Sequence, residues 1–183
     1  RTLRRLYLDP LARRVSDYGG AVYPAYPGIF RLMIDIKNEG PATWEVLRAQ
    51  LASYDWLLRG EGAAVQVFIS GDRPVETILA DKDRLAGVDG RPSDLGKGIP
   101  ALRMPVISES YPSLVKWKGT GAIPPAEMAI LTDLCKRAHA EGKMVRLWAT
   151  PENEVMWQTL RNAGVDLLNA DDLDRLQTFL TKP

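Results

Sequence analysis

Phe30-Arg31-Leu32-Met33-Ile34-Asp35-Ile36-Lys37-Asn38-Glu39-Gly40 is an apolar, strand-like run that ends in a carboxylate and an ammonium two residues apart. A strand repeats every second residue, so Asp35 and Lys37 share one face. In a parallel strand buried on both sides, two ionisable groups facing one way are costly unless a metal, a counter-ion or a substrate compensates them. The pair therefore marks a candidate site at the carboxyl end of the strand. The alternative is an Asp–Lys pair that only ties neighbouring strands together.

Working outward, short apolar runs at 65–69, 86–88, 104–108, 144–148 and 165–168 predict further strands. Helical patterns follow nearly every one. The clearest are 42–58, opened by Pro41 and carrying Trp44, Leu47, Leu51 and Tyr54, and 124–141, opened by Pro124-Pro125 and closed by Gly142. Asn153 to Asn162, closed by Gly164, and Asp171 to Leu180 complete the set. Strands alternating with helices imply a parallel sheet with right-handed crossovers.

About six βα units fit either an open six-stranded sheet or most of an eight-stranded barrel. A barrel usually needs about 250 residues, and this chain has 183. An open dinucleotide-binding sheet is expected to carry a Gly-rich turn after its first strand, and no strand–helix joint here reads GxGxxG. Polar residues instead gather at the carboxyl ends of different strands: Asp35 and Lys37, Ser70 with Asp72-Arg73, Asp89 and Arg91, Ser108 and Glu109, Trp148 and Thr150, Asn169 and Asp171. A barrel active site has that distribution. The expected fold is α/β, an incomplete (β/α)8 TIM barrel forming one domain over residues 1–183.

Charge and cysteine content narrow the function. With 24 basic and 23 acidic side chains the net charge is +1, and no basic run supplies a footprint for nucleic acid. A single cysteine, Cys135, excludes an intrachain disulfide and a zinc cluster, and its setting reads as an apolar helix face. No stretch approaches the roughly 20 apolar residues of a membrane span. The chain starts at Arg1 rather than Met, so an export signal upstream is an open expectation, and neither compartment nor oligomeric state is assigned.

Seven segments in this order resemble the later part of a phospholipase-C-like barrel: Leu3-Arg4-Arg5-Leu6-Tyr7-Leu8-Asp9-Pro10-Leu11, Leu32-Met33-Ile34-Asp35-Ile36-Lys37, Phe68-Ile69-Ser70-Gly71-Asp72-Arg73-Pro74, Asp89-Gly90-Arg91, Val106-Ile107-Ser108, Leu147-Trp148-Ala149 and Gly164-Val165-Asp166-Leu167-Leu168-Asn169. The resemblance is greatest to glycerophosphodiester phosphodiesterase relatives of the altered-inheritance-of-mitochondria-6-like type, and it spans essentially the whole chain. It implies a PI-PLC-like barrel lacking its first two strands. It also implies a phosphoric diester hydrolase of lipid metabolism, acting on a small phosphodiester or a lipid headgroup with a divalent cation, Ca²⁺ or Mg²⁺. Asp35 aligns with the family's third carboxylate metal ligand, usually Glu, and Lys37 with the lysine that faces the phosphate. Asp shortens the reach by one methylene and is itself an ordinary ligand for either cation.

The family's two catalytic histidines and its Glu-x-Asp motif have no counterpart here. The sole histidine, His139, lies in the last turn of a predicted helix, where a cation suits the dipole. A non-catalytic relative that binds a phosphate ligand is therefore the alternative function. A Schiff-base enzyme using Lys37 fits less well, because Asp35 on the same face favours the ammonium.

Four other residues are candidate substrate contacts. Arg73 and Arg91, each just past a strand end, have the fork that clamps a phosphate, against the blander reading of a loop salt bridge. Ser108 ends a strand. Trp148 offers an apolar floor to a glycerol or inositol moiety, or packs in the barrel. Trp117, between Lys116 and Lys118 in a long loop, suits transient contact with an anionic membrane surface, and a small capping helix is the competing reading. Trp44, Trp56 and Trp157 read as packing residues on helices.

Overall fold

The computed structural model describes residues 2–24, 26, 28–58 and 63–182, and the chain divides into two compact units, Arg1–Asp89 and Gly90–Pro183. Both are α/β, and every described ladder within them is parallel.

The first unit opens on a helix not expected from the pattern, a π-helical stretch Arg4–Leu8 running into α1 (Asp9–Asp17). Leu8, Leu11 and Val15, spaced three and four residues apart, are its buried face. Arg14 Nε donates to Val22 O at 2.8 Å, which ties the helix to the segment leading into the sheet. There follow β1 (Phe30–Ile36), α2 (Gly40–Ala52), α3 (Asp55–Leu58), β2 (Val65–Gly71), α4 (Val75–Ala80) and β3 (Gly87–Gly90), within which the unit boundary falls. β1 pairs with β2 from Phe30 opposite Val65 to Ile36 opposite Gly71, and β2 pairs with β3 through Phe68–Gly87 and Ile69–Val88.

β2 is buried almost throughout, as a strand covered on both faces requires. β1 is not: Phe30 to Ile34 are half-buried and Asp35 is exposed. The expectation of a doubly buried strand is corrected here, and with it the large desolvation cost assigned to the Asp35–Lys37 pair. The face of α2 is as the spacing predicts, with Trp44, Leu47 and Leu51 buried and Tyr54 continuing it. The single helix expected over 42–58 breaks at Ser53, whose N–H reaches back to Gln50 O at 3.2 Å. The break turns Trp56 outward to 57% exposure, so it is not the packing residue its helical spacing suggests.

The second unit contains a 3₁₀ turn (Pro92–Asp94), β4 (Val106–Ser110), α5 (Tyr111–Leu114), α6 (Pro125–Ala140), β5 (Met144–Trp148), α7 (Glu154–Ala163), β6 (Leu167–Leu168) and α8 (Leu173–Thr181). β4 pairs with β5 from Val106 opposite Met144 to Ser110 opposite Trp148, and β5 pairs with β6 through Arg146–Leu167 and Leu147–Leu168. β4 starts two residues later than its apolar run because Pro105 has no N–H to give; its carbonyl instead accepts from Met144 N at 2.9 Å. β6 is shorter than predicted because the Val165 N–H is spent on Leu160 O, 3.0 Å away, closing α7.

The helix ends follow their sequence signals. Asn153 Oδ1 accepts from Met156 N at 2.8 Å to open α7, and Gly164 closes it at φ +96°, a conformation glycine adopts without strain. Val106, Ile107, Val145 and Leu147 are buried with Leu131, Leu134 and Ala138 of α6 and Met156, Trp157 and Leu160 of α7. Trp157 also packs on Leu176 and Phe179 of α8, with ring centroids of Trp157 and Phe179 5.5 Å apart. Among the described residues, no helix is long and apolar enough to cross a membrane.

Candidate functional site

Parallel register places Asp35 directly beside Ser70. Ser70 and Asp89 each follow the last residues that pair β2 with β3, and Ser70 Oγ donates to Asp89 Oδ2 at 2.7 Å with both residues buried. Asp35, Ser70 and Asp89 thus form a polar row at the carboxyl ends of three adjacent strands. Lys37 Nζ donates to Asp35 Oδ2 at the outer end of the row, and its side chain is 83% exposed. An ion pair so exposed adds little stability, and both groups are open to a ligand.

Two loops hold this row. Gly71 has φ +74°, and a Cβ there would stand 2.1 Å from Ile36 O and 2.2 Å from Asp35 Oδ1, so only glycine leaves room for the Asp35 carboxylate. Asp72 N donates to Ile36 O at 2.8 Å, and Asp72 Oδ2 accepts from Gly40 N at 2.9 Å, joining the end of β2 to the first turn of α2. Glu39, between Lys37 and that helix, sits at φ +52°, a conformation that costs a residue with a Cβ about 1–2 kcal/mol and recurs at functional loops. Arg73 folds back on the strand end, Nη1 donating to Gly71 O at 3.1 Å.

The residues present do not by themselves fit the divalent cation that the family resemblance implies. Such a cation takes about six to eight oxygen ligands as Ca²⁺, or near-octahedral geometry as Mg²⁺. Asp35 Oδ2 already accepts from the Lys37 ammonium and Asp89 Oδ2 from Ser70. Among the described residues, no group of three or more His, Cys, Asp or Glu is placed to hold a metal.

In the second unit, Arg91 Nη1 donates to Gly90 O at 2.8 Å, and its backbone N–H is capped by Asp94 Oδ2 at 2.8 Å. Ser108 is fully buried in β4, and Trp148, at the end of β5, is 40% exposed. Ser108 pairs in register with Arg146, and Ser110 with Trp148. Arg146 is not among the sequence candidates, because only register reveals its neighbours. Its Nη2 donates to Asn169 Oδ1.

Other chemistry-bearing residues are committed elsewhere. His139 Nε2 lies 2.8 Å from Asp166 Oδ2, which also accepts from Val145 N at 2.7 Å; this clasp is at the amino-terminal ends of β5 and β6, the opposite end from Trp148. Burial pushes the Cys135 thiol up to about 12, with the Asp166 charge adding, so it is no nucleophile. Trp117 is buried, its indole N–H donating to Thr120 O at 2.9 Å, and α5 precedes it. Tyr111 Oη donates to Trp117 O at 2.9 Å; burial, then the charge of Glu127, pushes that hydroxyl up to about 12. The ring that the Lys-Trp-Lys spacing offers to a membrane surface therefore faces inward.

Two curated relatives cover nearly all of the chain. A protein of Arthroderma benhamiae named altered inheritance of mitochondria protein 6 homolog is 29% identical over 209 residues, covering 98% of this chain and 66% of the relative. Altered inheritance of mitochondria protein 6 of Eremothecium gossypii is 25% identical over 224 residues, covering 97% of this chain and 56% of the relative. The chain thus spans less than two thirds of the length of either. No family model matches it. No solved structure matches it. The chain is thus similar to these two altered inheritance of mitochondria 6 proteins along nearly its whole length.

Proposed function

We propose that this chain is the later part of a PI-PLC-like (β/α)8 barrel that hydrolyses a phosphodiester of the glycerophosphodiester or phosphoinositide type. The observation that carries this reading is the polar row Asp35, Ser70, Asp89 at the carboxyl ends of parallel strands, the end where barrel enzymes gather their catalytic groups. Lys37 faces the phosphate. Cleaving the diester builds negative charge on the phosphoryl oxygens, and an ammonium held at the strand end stabilises it. Asp35 positions that ammonium through their ion pair. Arg73, past the end of β2 in the same unit, is the proposed contact to the rest of the substrate.

The divalent cation would need ligands beyond the described residues, with Asp35 as one carboxylate among them. Proton transfer would likewise need groups other than His139, which is held by Asp166. The exposed ion pair and the placement of His139 favour one second reading, a non-catalytic barrel that binds a phosphate ligand at the same row.

The two readings separate in an assay of glycerophosphodiester hydrolysis by the full natural polypeptide that carries this sequence, with and without a chelator. The enzyme reading expects turnover that the chelator abolishes. Saturable binding of the diester without turnover would replace it with the binding reading.

A further inference from the structure

We propose that Arg146 is the centre of an oxyanion-binding site at the carboxyl ends of β4, β5 and β6, built to hold a phosphate ester or a carboxylate that carries a flat or apolar group. Alternation along Met144-Val145-Arg146-Leu147-Trp148 puts Arg146 and Trp148 on the face opposite Val145 and Leu147, which are buried. Register sets Arg146 between Ser108 of β4 and Leu167 of β6. The guanidinium does not stay at that level. Its Nη2 donates to the side chain of Asn169, two residues beyond Leu167, so the side chain runs toward the carboxyl ends of the strands.

At that level Ser110 and Trp148 are partners in register, and Thr150 Oγ1 donates to Asn169 O at 3.4 Å, joining the segment after β5 to the end of β6. A guanidinium presents its donors in a rigid planar fork that matches an oxyanion two bonds at a time, and the Asn169 contact fixes the plane of this one. The exposed Trp148 ring, two residues on, supplies an apolar wall. The backbone adds an independent sign. Ala149 has φ +56°, a left-handed conformation that costs a side chain with a Cβ about 1–2 kcal/mol and that concentrates beside ligand sites.

This site lies within the second unit and does not rest on Asp35, on Lys37 or on hydrolysis. Isothermal titration of the chain with phenyl phosphate, benzoate and inorganic phosphate tests it. Saturable binding of phenyl phosphate or benzoate is expected, the tighter of the two naming the oxyanion, with inorganic phosphate weaker than phenyl phosphate. Arg146→Gln should raise the Kd at least about tenfold, and Arg146→Lys should restore part of the loss. Absence of saturable binding, or equal Kd for Arg146→Gln and the unsubstituted chain, would overturn the proposal. Should Arg146→Gln fail to fold, Asn169→Ala keeps the arginine but releases its plane. Weaker binding by that folded variant supports the site, and unchanged binding overturns it.

Discussion

Gly71 leaves vacant the space that the Asp35 carboxylate needs: a Cβ on residue 71 would lie 2.2 Å from Asp35 Oδ1. Residue 71 must also hold φ +74°, and the same Cβ would meet Ile36 O, a backbone atom that cannot swing aside. The end of β2 is therefore shaped around the end of β1, and the candidate site depends on a residue with no side chain of its own.

Gly71→Ala is expected to destabilise the chain by at least about 2 kcal/mol, combining the left-handed strain of a residue with a Cβ and the backbone clash. Denaturant unfolding measures it. Asp72→Ala should cost less, about 1 kcal/mol, through loss of the bond to Gly40 N.

Acid should weaken the second unit through Glu141. Hydrogen bonds from Lys143, which is fully buried, and from Gly96 N–H hold the Glu141 carboxyl below its ordinary range. A carboxyl lowered on folding stabilises the fold above its ordinary value, and that contribution is lost as pH falls through the lowered one. The melting temperature should drop on acidification below the ordinary glutamate range. Glu141→Gln should lower it at neutral pH and flatten part of the acid slope; an unchanged slope would contradict the assignment.

Cys135 should be inert in the native chain. Burial, with the Asp166 charge adding, pushes its thiol up to about 12, so the thiolate is scarce near neutral pH. A chromogenic disulfide reagent should react at once with the unfolded chain and, with the native chain, only as fast as it opens.

What the sequence makes legible follows from which forces are local. The strands 30–36 and 144–148, the buried face of α2 and the caps of α6 and α7 are legible because alternation, helical spacing, Pro41, Pro125, Asn153 and Gly164 act within a few residues. The exposure of Asp35 is not, because it depends on what lies beside β1 rather than on β1. Trp56 misleads for a related reason: the break at Ser53 shifts the helical phase that seemed to bury it. Arg146 hides because its meaning lies in its neighbours Ser108 and Asn169, which are distant in sequence and are joined to it by register and a side-chain bond. The spacing of Leu8, Leu11 and Val15 could have revealed α1, but it lay outside the strand–helix alternation.

The central claim is that Lys37, held by Asp35, faces a phosphodiester. Turnover of glycerophosphodiesters by the full natural polypeptide and its Asp35→Ala and Lys37→Ala variants tests it most directly. The account predicts that each variant remains folded, as expected for an exposed pair, and loses about 10²-fold or more in turnover, the usual scale for removing one preorganised charge-stabilising group. Folded variants that hydrolyse the substrate at the unsubstituted rate would contradict it.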